Sequence, residues 1–170
     1  MAECLDTVAL LDKLERYQAV IDVPVPGSKL GIAWQDGFVT GMDFLPDSVA
    51  DIETNDKALL AVITKLCGYF SHWDSLSEIP IQLQGTDHQR RVWQAIQTIP
   101  AGVVATYAEL AKHIGSHPRA IGGACRRNPI PIIVPCHRVV ASNGIGGFAG
   151  AVGGKHIDIK QWLLNHEEVQ

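Results

Sequence analysis

The 170-residue chain lacks the features that announce a membrane, secreted or disulfide-built protein. Its four cysteines, Cys4, Cys67, Cys125 and Cys136, are scattered with no C-x-x-C pair. That spacing fits neither a disulfide framework nor a zinc module, so free thiols in a reducing compartment are expected and no metal is. No apolar run approaches the length of a membrane helix, and the first residues, Met1 to Asp6, carry acids where a leader would carry bases. The expectation is a cytosolic protein with no membrane partner. Disorder is excluded by a hydrophobic content of 46%, enough for one good core or two small ones.

Positive charge is scarce in the first half and concentrated in the second. Residues 1–85 hold five Lys or Arg against thirteen Asp or Glu, whereas residues 86–140 hold seven against two. The overall charge of -4 argues against a nucleic-acid partner only if this division is ignored. A basic segment beside an acidic one suits a protein that grips phosphate with one domain. The same arginines also suit a solvated helix face, and charge alone does not decide.

The hydrophobic pattern divides at the same place. After a short amphipathic helix candidate at Leu5, Val8, Leu11 and Leu14, the segments Tyr17 to Val23, Lys29 to Trp34 and Phe38 to Phe44 read as strands joined by turns. Residues 56–70 carry the helical stripe Leu59, Leu60, Val62, Ile63, Leu66 and Phe70. This predicts a small α/β domain over residues 1–84, with no polar cluster that suggests chemistry. From Thr86 the period is helical throughout, which predicts a mainly α-helical domain over residues 85–170. Thr86 is placed to cap a helix holding Val92, Trp93 and Ile96, and Thr106 one holding Leu110, Ala111 and Ile114.

A second short helix follows the turn Gly115-Ser116-His117-Pro118, and bears Arg119, Arg126 and Arg127. Helix, short glycine turn and arginine-bearing helix is the plan of a helix-turn-helix. Its residues Ala120, Gly122, Gly123 and Ala124 are unusually small, and each glycine weakens a helix by about 0.5–1 kcal/mol relative to alanine. Close approach of another backbone would compensate, whether a DNA minor groove or a neighbouring helix.

The run Pro135-Cys136-His137-Arg138 is embedded in the apolar residues 130–134 and 139–140. It sets a thiol, an imidazole and a guanidinium at consecutive positions of a segment that predicts burial. A buried Arg needs a partner, and a thiolate needs a positive or hydrogen-bonding neighbour to bring its pKa down from about 8.5. A buried structural Cys beside surface His and Arg is the plainer account of these few residues.

Taken together, the motifs resemble the O6-alkylguanine-DNA alkyltransferases, which move an alkyl group from a damaged base to their own cysteine. The resemblance runs in order through Gly85-Thr86 with Val92-Trp93, and Thr106-Tyr107 with Glu109-Leu110-Ala111. It continues through Arg119-Ala120 with Gly122, Arg127-Asn128-Pro129, Pro135-Cys136-His137-Arg138-Val139, and Trp162-Leu163-Leu164 with Glu167. Residues 85–168 are covered; residues 1–84 match only a strand-and-helix pattern.

The resemblance implies a ribonuclease-H-like amino-terminal domain, a winged-helix-like carboxy-terminal one, and no cofactor. It implies Cys136 as nucleophile and alkyl acceptor, with a relay through water to His137 and Glu167. Without it, Glu167 reads as a solvated charge near the chain end. It further implies that Tyr107 hydrogen-bonds the base and that Asn128 orders the active-site turn, a residue already held extended by Pro129. Arg119 matches an intercalating arginine, the base being flipped out of the duplex to reach a buried thiol. Thr106, Ala120, Gly122, Arg126 and Arg127 are implied on the DNA side, and Arg138, Val139, Phe148, Ala149 and Gly150 around the base. The implied partner is double-stranded DNA carrying O6-alkylguanine, with O4-methylthymine as a second lesion and a monomer as the acting species.

Departures fall at the rim. Phe148-Ala149-Gly150 stands where many relatives have Tyr-Ser-Gly, removing a hydroxyl, and the loop from Gly150 to Lys160 is longer. Both are expected to alter tolerance for larger alkyl groups more than methyl transfer. Two other readings remain. A DNA-binding damage sensor would lack the thiol, and a cysteine hydrolase would need a better dyad than two adjacent residues.

Overall fold

The computed structural model describes residues 14–72 and 76–168. The helix candidate on Leu5, Val8 and Leu11 lies outside them, as does Cys4. Contacts divide the chain into two compact units, residues 1–82 and 83–170. Both small sheets and helices are present, so the fold class is α/β. No described helix is long and apolar enough to cross a membrane.

In the first unit, β1 (Ala19–Asp22), β2 (Ser28–Gln35) and β3 (Phe38–Pro46) form an antiparallel meander in the order β1-β2-β3. The β2–β3 connection is the two-residue turn Asp36-Gly37, with Gln35 paired to Phe38 and φ of 51° and 86° at the turn. Positive φ at both central residues matches the right-handed twist of the strands, and Asp-Gly is a pair that adopts it readily. Helix α1 (Lys57–His72) begins where Asp56 Oδ1 accepts the amides of Ala58 at 2.8 Å and Leu59 at 3.1 Å. Leu30, Ile32, Met42 and Leu45 of the sheet and Leu59 and Leu66 of α1 are buried.

The second unit opens with α2 (Asp87–Gln97), whose N-terminus is a reciprocal capping box. Thr86 Oγ1 accepts from Gln89 N at 3.2 Å and Gln89 Oε1 accepts from Thr86 N at 2.8 Å. Its apolar face, Val92, Trp93 and Ile96, is buried, and Trp93 Nε1 donates to Ala124 O at 2.9 Å. A side chain at position 85 would lie 2.7 Å from the Trp93 ring, so Gly85 is required by close packing.

Helix α3 (Tyr107–Ile114) repeats the capping box with Thr106 and Glu109 and ends at Gly115, in the left-handed region at φ 65°. Helix α4 (Pro118–Arg126) follows with Pro118 at its first position, where the missing N–H costs nothing. The helix-turn-helix is therefore present as read. The expectation of helical structure throughout needs a correction. β4 (Ala105–Thr106) and β5 (Val139–Val140) pair in parallel, because the chain leaving the Cys136–Arg138 turn runs beside the residues that lead into α3. Helix α5 (Lys155–Glu168) closes the unit.

Candidate active site

Residues 127–135 form neither helix nor strand, and Asn128 organises them. Its N–H donates to Cys125 O at 3.1 Å and its Oδ1 accepts from Ile130 N at 3.0 Å. Its Nδ2 donates to Val134 O at 2.7 Å and to Cys136 Sγ at 3.1 Å. Within this turn Ile132 has φ 75°, a costly conformation for a β-branched residue. Burial of Ile130, Ile132 and Val134, together with the asparagine bonds, holds it there.

The turn delivers Cys136, His137 and Arg138 into a single 3-10 turn in place of an extended strand. Successive side chains therefore do not alternate across a sheet. His137 is fully buried, and its Nε2 is 2.8 Å from Glu167 Oε1. Arg138 forks onto the same carboxylate, Nε to Oε2 and an Nη to Oε1, both at 2.8 Å, and also donates to Ile99 O. Glu167 is 1% exposed, so the reading of a solvated charge is overturned: α5 turns this residue inward, where two cationic or hydrogen-bonding partners compensate the buried charge. Burial holds the His137 imidazole below its usual range, outweighing the pull of Glu167. Its Nδ1 is buried with no partner among the described residues.

Burial pushes the Cys136 thiol up, opposed by the Asn128 amide and by Lys160. Lys160 is a residue that sequence reasoning missed. It is fully buried on α5, and its Nζ donates to Val139 O at 2.6 Å and Gly147 O at 3.0 Å. Desolvation lowers its pKa to about 8, against the attraction of Cys136 and Cys125. A signal existed. Lys160 and Glu167 lie in phase with the buried Ile159, Leu163 and Leu164 of the same helix, so two charged residues occupy the apolar stripe.

Cys136 opens on a cavity of about 470 Å³, within the range of small-molecule sites. Helix α4 supplies Pro118, Arg119, Gly122, Cys125 and Arg126 to its wall, and the segment 146–152 supplies much of the rest. Tyr107 also lines it, donating from its hydroxyl to Gly147 O at 3.3 Å. Burial, then the nearby Cys125 and Cys136, push the phenol up to about 12. Phe148, Ala149 and Gly150 line the cavity as a tight hairpin, closed by paired bonds between Phe148 and Ala151 at 2.9 Å.

Other expected residues stand elsewhere. Arg138 and Val139 do not line the cavity; the arginine faces Glu167 and the Val139 carbonyl receives Lys160. Thr106 is engaged with Glu109, its hydroxyl donating at 2.8 Å. Ala120 and Arg127 are exposed outside the cavity lining. A Cβ on Gly122 would meet only the Tyr107 ring at 4.0 Å, and one on Gly123 only the Arg127 guanidinium at 3.7 Å. Tight packing on a neighbouring helix therefore does not explain these glycines. Among the described residues no group of three His, Cys, Asp or Glu is placed to hold a metal ion.

Comparison with known proteins bears on the same half of the chain and on the whole. Residues 87–169 match the model of the family described as 6-O-methylguanine DNA methyltransferase, DNA binding domain. A methylated-DNA-protein-cysteine methyltransferase of Mycolicibacterium paratuberculosis is 35% identical over 151 residues, covering 85% of this chain and 87% of the relative. One of that name from Methanosarcina acetivorans is 35% identical over 161 residues, 89% of this chain and 97% of its own. The crystal structure of the Mycobacterium tuberculosis O6-methylguanine methyltransferase superposes with a TM-score of 0.73 at 33% identity, over 88% of this chain and 90% of that one. Its complex with DNA gives 0.72 over 88% and 91%. Since identity at this level extends across nearly the full length of relatives that share one name, and the fold follows it, the chain belongs to the methylated-DNA-protein-cysteine methyltransferase family.

Proposed function

We propose that the chain is a direct-reversal DNA repair protein that accepts, once per molecule, the alkyl group of O6-methylguanine on Sγ of Cys136. O4-methylthymine is read as a second substrate. The carrying observation is that Cys136 shares one cavity with the arginine-bearing helix α4 while the next residue, His137, is bonded to buried Glu167.

The chemistry is a displacement at carbon. Sγ forms a bond to the alkyl carbon as the bond from that carbon to O6 breaks, and the electron pair leaves with the base. The thiol proton passes through a water to Nδ1 of His137, which burial keeps neutral and so able to accept it. Glu167 fixes the tautomer through Nε2, and Arg138 holds that carboxylate in place from its other side. The released guanine takes a proton at N1, and Tyr107, protonated at any ordinary pH, donates a hydrogen bond to the departing base. The thioether product has no easy reverse step. Phe148, Ala149 and Gly150 are read as capping the base; Val139, whose carbonyl receives Lys160, and Arg138, through Glu167, contribute from behind the cavity wall.

Double-stranded DNA meets α4. Gly122 and Gly123, which no neighbour crowds, let the helix lie close against a minor groove. Arg119, exposed at the cavity rim, fills the place of the flipped nucleotide, while Thr106, Ala120, Arg126 and Arg127 lie toward the phosphates. Residues 1–84 are read as a ribonuclease-H-like domain and 85–170 as a winged-helix-like one, the parallel β4–β5 pair standing beside the helix-turn-helix. The acting species is read as a cytoplasmic monomer.

The test mixes the protein with excess duplex carrying one O6-methylguanine and follows its intact mass, with peptide mapping. One added methyl on Cys136, absent in Cys136→Ala, is expected. Binding without any change in mass would replace this reading by that of a damage sensor.

A further inference from the structure

Lys160 is fully buried, yet no carboxylate lies against it among the described residues. Its ammonium is held by two carbonyls, Val139 O at 2.6 Å and Gly147 O at 3.0 Å. Carbonyl dipoles satisfy its N–H groups but supply no opposite charge, and a buried ammonium without one is costly. A neutral donor would serve the same carbonyls at less cost. Nor do the neighbouring charges balance it. Arg138 and Glu167 are a pair of opposite sign, so Lys160 leaves this buried group with one positive charge in excess.

Both carbonyls belong to the surroundings of Cys136. The N–H of Val139 donates to Cys136 O, closing the turn that carries the thiol, while its carbonyl takes Lys160. Gly147 lines the cavity on which Cys136 opens, and its carbonyl also accepts the Tyr107 hydroxyl. Lys160 thus stands behind the cavity wall, and the field of its ammonium reaches the Cys136 thiol.

We propose that Lys160 supplies the counter-charge of the Cys136 thiolate, and is a positioning residue for alkyl transfer that acts through the field of its ammonium. The proposal rests on the alkyl-transfer reading and adds to it the charge that the thiolate needs. The step balances as before. Sγ gives up its proton by way of water to His137 and bonds to the alkyl carbon, while the bond from that carbon to O6 breaks and its electron pair leaves with guanine. Lys160 raises the population of the thiolate, because in the protein interior a fixed positive charge lowers the energy of a nearby anion. Other groups face the same thiol. Asn128 Nδ2 donates to Sγ, and Tyr107 and Cys125 line the cavity as neutral groups whose pKa values burial pushes up. Arg119 and Arg126 line it from exposed positions, where water and salt screen them. Lys160 also disfavours a proton on His137, less than burial does.

The experiment follows modification of Cys136 by iodoacetamide across a range of pH, by peptide-mapped mass, in wild type and Lys160→Gln. Glutamine keeps a donor for the carbonyls and removes the charge. The variant is expected to move the profile up by about one pH unit, roughly a tenfold lower rate near neutrality. The ratio of wild-type to variant rates is expected to narrow above about pH 8, where Lys160 itself discharges. A ratio that does not change with pH marks a purely structural role and overturns the proposal, as does a profile that does not move. A second measurement needs no variant. In the wild-type chain the Lys160 side chain, followed by carbon NMR, is expected to titrate at lower pH once iodoacetamide has converted Cys136 to an uncharged thioether. An unchanged Lys160 titration overturns the proposal. Neither readout involves DNA, so failure of methyl transfer from an O6-methylguanine duplex would instead bring down the alkyl-transfer reading on which the proposal stands.

Discussion

One nitrogen of Asn128 bonds two parts of the active-site turn, donating to Cys136 Sγ at 3.1 Å and to Val134 O at 2.7 Å. The shape of the turn and the electrostatics of the thiol thus depend on the same amide. Asn128→Ala is expected to slow alkyl transfer roughly ten- to a hundredfold, the value of about 1.5–3 kcal/mol for a hydrogen bond to a charged group. Single-turnover kinetics check it, together with the rate at which iodoacetamide modifies Cys136. A variant that transferred at the wild-type rate would remove Asn128 from the machinery.

Glu167 is shared by His137 and Arg138 and is almost wholly buried. Replacing it by Gln keeps the shape and removes the charge that Arg138 faces. The expected loss is about 3–5 kcal/mol of stability, because a largely buried guanidinium is left without its counter-charge. Urea denaturation of Glu167→Gln measures this, and the double variant Glu167→Gln, Arg138→Met is expected to recover part of the loss.

Gly122 is a place where stability and binding should move in opposite directions. A methyl there meets nothing closer than the Tyr107 ring at 4.0 Å, so Gly122→Ala is expected to raise stability by about 0.5–1 kcal/mol through helix propensity. The same methyl thickens the face of α4 read as entering the groove, so affinity for duplex should fall. Thermal melts and a fluorescence-anisotropy titration separate the two effects; undiminished affinity would argue against this face as the one that meets DNA.

Lys160 carries a pH signature. Its pKa in the folded protein is about 8, against about 10.4 in an unfolded chain. Between those values the unfolded chain holds a proton that the folded protein has released, so this site makes stability rise with pH across the window. Cys125 and Cys136, both pushed up by burial, act in the opposite sense there. The informative quantity is thus the difference between wild type and Lys160→Met. That difference is expected to increase in favour of wild type from about pH 8 to about pH 10.4, measured by denaturant unfolding at several pH values.

Much of the architecture was legible because it depends on neighbours in sequence. Thr86 with Gln89 and Thr106 with Glu109 announce helix starts, Asp36-Gly37 announces a hairpin, and Gly115 ends α3 where only a left-handed residue fits. The two-residue β4–β5 pairing was not legible, since a pair of residues carries no period and the partners lie more than thirty positions apart. The phase of α5 sets Glu167 and Lys160 among its apolar residues, but what makes their burial tolerable was not legible. A charged side chain near the chain end reads as solvated until the groups that compensate it, Arg138 and two backbone carbonyls, are seen beside it.

By itself the sequence determined the order of elements, the thiol in an apolar setting, the basic stretch with its slim helix, and the motifs that carry the family resemblance. These are matters of composition, period and spacing, which a one-dimensional string contains. Only the tertiary structure decided that His137 and Arg138 converge on one buried carboxylate, that Asn128 reaches the thiol, and that Arg126 lies across Gly150 at the wall of the Cys136 cavity. Such relationships are set by how distant segments pack. The energy of a buried charge or an unbonded amide depends on what folding brings next to it.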